Sequence, residues 1–264
     1  MQTLTYQQGL DWTHFLAAMV LVAIRLSGLM VFAPVFSSDA IPARVKTLFV
    51  LTSAFLLAPV VSALPLAHVE LGMSAVIGEL SVGFIFGFGL TMLNEVLGFC
   101  GQLLGFQFSF SLVNLLDPNS PVQTPLFGQM FSLLGTMVLL SSGLYRTLLR
   151  AFLRSFADAP VGAVFFDAHT GLAFVGMMSG VLFAGLQLAA PIVAATILVE
   201  VAVALVGKLS PQLPVMSIAI PAKTLLGYTV LIGALALWPR FLEMHFSLLL
   251  DNAEQLVRHA TVTK

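Results

Sequence analysis

The sequence predicts an all-α, polytopic membrane protein of about six to eight bent or broken apolar helices. Three observations carry this expectation. Only 9% of the 264 residues are charged and 59% are hydrophobic, where soluble domains carry about 25% charged residues. Mean hydropathy is +1.02. Apolar runs recur along the chain at lengths near the roughly twenty residues that cross a bilayer, and prolines punctuate them. A soluble core could not hide this much apolar surface, so membrane lipid is the expected surrounding. The net charge is −1, and no basic cluster marks nucleic acid as a partner. The single cysteine, Cys100, excludes an internal disulfide and a cysteine metal cluster, and reads as a small buried apolar group. No cofactor is expected.

The whole chain, 1–264, reads as a single integral membrane domain. The first apolar segment covers about 13–36. No Lys or Arg precedes it and Arg25 lies inside it, so a cleaved signal peptide is not expected. Segments follow at about 45–64 and 71–93, then at about 96–116, where no charge occurs between Glu95 and Asp117. Here Phe106, Phe108 and Phe110 alternate with Gln107, Ser109 and Ser111, a period of two that predicts extended chain, with the turn from helix to loop near Gly105. Non-helical backbone at membrane depth survives only where protein buries it or where it lines a cavity. The region 96–124 is therefore expected to hold a loop serving a pore, a gate or a site.

Two further segments cover about 125–149 and 172–206, the latter too long for one simple span and holding Pro191 at its middle. It reads as one bent helix or two half-helices. A seventh segment covers about 215–238. Helix breaks are expected at Pro34, Pro42, Pro191, Pro211 and Pro221, because proline lacks the N–H and frees the carbonyl four residues earlier. Bent helices of this kind rely on neighbours, which favours a subunit of an assembly. After Pro239, residues Leu242, Phe246, Leu249, Ala253, Leu256 and Ala260 recur at three-and-four spacing, predicting an amphipathic helix over about 240–262. It would lie on the membrane, pack on its own domain or dock on a partner. Arg44 and Lys46, Arg146, Arg150 and Arg154, then Arg240, Arg258 and Lys264 follow alternate segments. With seven crossings they put the amino terminus outside and the carboxyl terminus in the cytoplasm.

Arg25, Glu79, Glu200 and Lys223 stand within apolar runs, and Glu95 near an edge. A charge at mid-bilayer costs about 2.5–3.5 kcal/mol even on the lenient insertion scale, so each should face protein or water. Two bases and two acids can neutralise one another, for instance Lys223 with Glu200; a proton relay is the alternative. His14, His68, His169, His245 and His259 lie at segment ends or in loops, away from any metal or relay pattern. The spacings Gly83/Gly87, Gly101/Gly105 and Gly176/Gly180 predict close helix–helix contacts. No G-x-S-x-G, H-E-x-x-H or Walker pattern occurs, so no enzyme activity is expected.

Arg25-Leu26-Ser27-Gly28, Ala33-Pro34-Val35-Phe36 and Ile41-Pro42-Ala43-Arg44 occur in that order. They are followed by Gly105-Phe106-Gln107-Phe108-Ser109-Phe110, Asp117-Pro118-Asn119-Ser120 and Pro191-Ile192-Val193-Ala194. Leu209-Ser210-Pro211-Gln212-Leu213 and Ile220-Pro221-Ala222-Lys223-Thr224-Leu225-Leu226-Gly227 close the set. Each motif alone is weak, but the ordered set resembles the FliR family of flagellar export-gate proteins, related to the SctT subunit of virulence type III secretion systems. The resemblance implies a bacterial inner-membrane subunit that assembles with FliP and FliQ into a helical, pore-forming export gate in the flagellar basal body. It would work with FlhB and FlhA and pass unfolded flagellar proteins. The subunit would hold no nucleotide, with energy drawn from the proton motive force and an associated ATPase. By the same resemblance Phe106, Gln107, Phe108, Ser109, Phe110, Ser111, Asn114 and Asp117 belong to a plug that closes the pore. The chain departs from the family pattern at Gly143-Leu144-Tyr145, where Gly-His is common, at Glu200, commonly Asp, and at Pro214-Val215-Met216, where Asn-Val-Phe is frequent. Asp117-Pro118-Asn119-Ser120 resembles flagellar rather than injectisome members. A secondary transporter for small solutes is the alternative from another class; it would show paired interruptions in two repeated halves, and no convincing repeat occurs.

Overall fold

The computed structural model describes residues 12–37, 41–65, 67–108, 126–165, 168–210, 212 and 214–262. Among them every regular element is helical. Helix α1 (Trp12–Phe32) stops just before Pro34, since the residue preceding a proline is pushed out of helical geometry. Pro34 then opens the single turn α2 (Pro34–Ser37), the position at which a missing N–H costs nothing. Pro42 caps α3 (Ala43–Ser62), so the expected breaks at Pro34 and Pro42 are present.

The fourth element departs from the sequence expectation. The segments at 71–93 and 96–116 do not form separate spans; α4 (Met73–Gln107) is one helix of 35 residues. Nor is 106–107 extended: both residues are helical, and Phe108 N–H donates to Leu104 O at 2.9 Å, an i to i−4 bond. The physical reason lies on the other face. Cys100, Leu104 and Phe108, spaced by four, are all buried, and that helical burial outweighs the two-residue alternation of Phe and polar side chains. Residues 109–125, which include Ser109, Phe110, Ser111, Asn114 and Asp117, lie outside the described residues.

The fifth apolar segment is two helices, α5 (Leu126–Ser141) and α6 (Leu144–Asp158), bent by 69°. Gly143 between them has φ +70°, a left-handed conformation that glycine adopts without steric cost. Helix α7 (Ala168–Leu209) runs 42 residues straight through Pro191, and α8 (Val215–Leu235) contains Pro221. These two prolines therefore do not break their helices. Each removes a single N–H, and the carbonyls left over are those of Gln187 and Ser217. Pro211 lies outside the described residues. Helix α9 (Trp238–Val262) completes the chain.

Among the described residues five helices are long and apolar enough to cross a membrane, or six if the α5–α6 pair counts as one broken span. The seven crossings used to orient the termini are thus not carried by the described helices. At 1.5 Å per residue α4 and α7 are about 52 Å and 63 Å long, well beyond a hydrocarbon layer of about 30 Å.

The chain divides into two compact units: 1–91 with 145–176 and 248–264, and 92–144 with 177–247. In the first, α1 and the start of α4 cross at glycines. A Cβ on Gly28 would lie 2.8 Å from Leu80 O, and one on Gly87 would lie 2.8 Å from Leu29 O. A Cβ on Gly83 would collide with Arg25 O. Helix α6 buries Leu148, Ala151, Phe152, Ser155 and Phe156 and exposes Arg146, Arg150 and Arg154. The apolar stripe of α9 expected from its spacing is buried within the chain, and Arg258 reaches Asp158 at 3.2 Å. In the second unit a Cβ on Gly101 would lie 2.6 Å from Phe127 O, so α4 and α5 also meet backbone to backbone. Gly105 makes only an ordinary contact, and a Cβ on Gly176 or Gly180 would meet open space.

Candidate functional site

Within the second unit, a row of rings surrounds the end of α4. Phe108, the last described residue before 109–125, is buried and stacks on Tyr228 with centroids 4.8 Å apart. Phe127, at the start of α5, lies 5.6 Å from Phe108 and 6.3 Å from Tyr228. Phe131 continues the row to Trp238, 4.8 Å away and edge-on. Gly227 leaves the space the Phe108 ring occupies, since a Cβ there would strike it. Phe108 and Phe127, which flank the stretch 109–126 in sequence, are thus held in ring contact. Phe106 points the other way and is 61% exposed. Of the eight residues expected in a plug, Phe106, Gln107 and Phe108 are described; the other five lie outside the described residues.

Arg25, Glu79, Glu200 and Lys223 form two ion pairs. In the first unit Arg25 and Glu79 have no exposure at all. Arg25 Nε donates to Glu79 Oε2 at 2.5 Å and Nη2 to Oε1 at 3.1 Å, a two-pronged contact that suits a planar guanidinium. Nη2 also donates to Ala159 O at 2.9 Å and Nη1 to Ser155 Oγ at 3.3 Å, while the guanidinium carbon lies 4.3 Å over the Phe156 ring. Glu79 Oε1 accepts the Gly162 N–H at 2.9 Å. Gly162 has φ +76°, and a Cβ there would collide with His68 O, so the turn is restricted to glycine twice over. The cluster ties α1, α4, α6 and the turn after α6 together with its charge balanced and each guanidinium nitrogen hydrogen-bonded. Neither charge is exposed.

In the second unit Lys223 Nζ donates to Glu200 Oε1, the pairing expected from their positions. The Lys223 side chain is 13% exposed and Glu200 50% exposed, so this pair lies open to whatever covers α7 and α8. Glu95 is exposed within α4, and Asn94 beside it accepts from Ser132 Oγ at 2.8 Å. Cys100 is buried, as its apolar setting implied. No group of three His, Cys, Asp or Glu side chains suited to a metal occurs among the described residues. Sequence reasoning missed the ring cluster and the partners of Arg25. The four-residue spacing of Cys100, Leu104 and Phe108 was the available signal for the former; nothing local marked Ser155, Ala159 or Gly162.

The profile of the bacterial export proteins, family 1, matches residues 16–249, nearly the whole described chain. This chain belongs to that family. Among its relatives is the flagellar biosynthetic protein FliR of Bacillus subtilis (strain 168), 27% identical over 91% of this chain and 94% of the relative. FliR of Caulobacter vibrioides is 27% identical over 80% of this chain and 85% of its own length. FliR of Escherichia coli K12 is 24% identical over 94% of each.

Proposed function

We propose that this chain is a FliR-type structural and gating subunit of the flagellar type III protein-export channel, a non-enzymatic membrane component that passes unfolded flagellar proteins. The observation that carries the reading is the family match over 16–249, together with flagellar relatives aligned over most of their own length. The reading extends to residence in the bacterial inner membrane, assembly with FliP and FliQ, and cooperation with FlhB and FlhA. One feature supports a subunit rather than a free-standing bundle: helices α7 and α8 leave much of their apolar surface exposed. The 109–125 segment, tethered between Phe108 and Phe127, is the plug in this reading. Co-expression with FliP and FliQ followed by mass measurement of the purified complex tests the assembly. A defined complex of the three proteins is expected. A stable monomer that counter-flows a small solute would instead favour the transporter reading.

A further inference from the structure

Helices α1 and α3 lie side by side in the first unit, with Phe15 and Phe55 edge-on at 5.6 Å. Away from that contact they part and leave a cavity of about 460 Å³, within the range of small-ligand sites. Its α1 wall is Ala23, Ser27 and Met30; its α3 wall is Lys46, Thr47 and Val50. The rim residues Val31 and Leu51 are 64% and 49% exposed, so an extended chain can enter from the side. The cavity is mainly apolar, with Ser27, Ser37 and Thr47 as uncharged polar residues of its lining; Lys46 lines it at the hairpin end, and Arg44 stands exposed nearby in sequence. The stretch 38–46 contains Asp39 against Arg44 and Lys46, leaving a net positive charge. Both helices are of membrane-spanning length.

We propose that this groove is a binding site for an anionic phospholipid. One acyl chain lies along Ala23, Met30 and Val50, and the phosphate sits at the hairpin end with Lys46 and Arg44. Charge complementarity selects the occupant. A zwitterionic lipid fills the apolar groove equally well but gains nothing net from the two bases, whereas basic pockets between membrane helices hold acidic headgroups. The inference concerns α1 and α3 alone and does not depend on the gate assignment.

The test uses the full chain in detergent, titrated with phosphatidylglycerol and phosphatidylcholine of identical acyl chains and followed by native mass spectrometry. About tenfold tighter retention of phosphatidylglycerol is expected, from roughly one electrostatic contribution per basic residue. Combining Arg44→Gln with Lys46→Gln should bring phosphatidylglycerol down to the phosphatidylcholine level, whereas Arg240→Gln should leave the preference unchanged. Thr47→Trp, made at an exposed rim position, should weaken both lipids by filling the groove. Equal retention of the two lipids by the unaltered chain overturns the proposal without reference to any variant. So does an undiminished phosphatidylglycerol preference in the doubly substituted chain, or a photocrosslinker at Ser27 that captures a protein helix and no lipid in the membrane.

Discussion

Replacing Glu79 with alanine is expected to remove a large part of the chain's stability. The substitution strands the Arg25 guanidinium, which is fully buried and keeps only Ser155 Oγ, Ala159 O and the face of Phe156. It also leaves the Gly162 N–H without its acceptor. Removing one partner of a buried ion pair costs about 3–5 kcal/mol, because the other charge stays out of water. Against a total stability of about 5–15 kcal/mol this is a severe loss. The pair itself need not be stabilising relative to apolar side chains, and that distinction gives the test its second arm. Combining Arg25→Met with Glu79→Met removes both charges, and such replacements are often neutral or better. Here Ala159 O and the Gly162 N–H also lose partners, at about 1–3 kcal/mol for each buried group left unsatisfied. The doubly substituted chain should therefore be destabilised by clearly less than the sum of its two single substitutions. Unfolding by a denaturing detergent, followed by circular dichroism in a mild micelle, measures all four chains. A Glu79→Ala loss below about 1 kcal/mol, or strictly additive single substitutions, would refute this reasoning.

Gly83→Ala should cost about 1–3 kcal/mol by forcing α1 and α4 apart, whereas Gly98→Ala, whose Cβ meets open space, should be neutral or stabilising by up to about 1 kcal/mol through helix propensity; the same unfolding assay separates them. Lys223→Ala should lower the yield of complex co-purified with FliP and FliQ, because half-exposed Glu200 then carries an unpaired charge on an apolar surface, and adding Glu200→Ala should restore part of that yield. Wild-type yield with an altered proton dependence of export would point to a relay instead. Phe108→Ala should lower the unfolding midpoint by the equivalent of about 3–5 kcal/mol, since its ring is buried against Tyr228 and Phe127.

Much of this fold is legible in local sequence because apolar length and four-residue spacing act locally. Apolar runs place α1, α3 and α8, and the recurrence of Leu242, Phe246, Leu249, Ala253, Leu256 and Ala260 marks the buried face of α9. The extended reading of 106–108 fails because alternation of Phe and Ser is a weak signal beside the burial of Cys100, Leu104 and Phe108 on one helical face. The breaks expected at Pro191 and Pro221 fail for a related reason. A proline removes one hydrogen bond, while the turns on either side of it keep theirs. Lys223 and Glu200 are legible as a pair because 23 residues separate them on consecutive helices. The partners of Arg25 lie 54, 130 and 134 residues away, so sequence reveals only that the charge needs protein around it. The Gly176/Gly180 spacing predicts a tight packing that is not seen at these two positions, where an added Cβ would meet open space.

The gate assignment is tested most directly by the ion conductance of the assembled complex in a planar bilayer after deletion of 109–111. That deletion shortens the tethered segment while sparing Phe108 and its ring contacts. A complex that assembles normally and leaks ions where the unaltered complex is closed is the expected result. An assembled complex with unchanged low conductance would contradict the account.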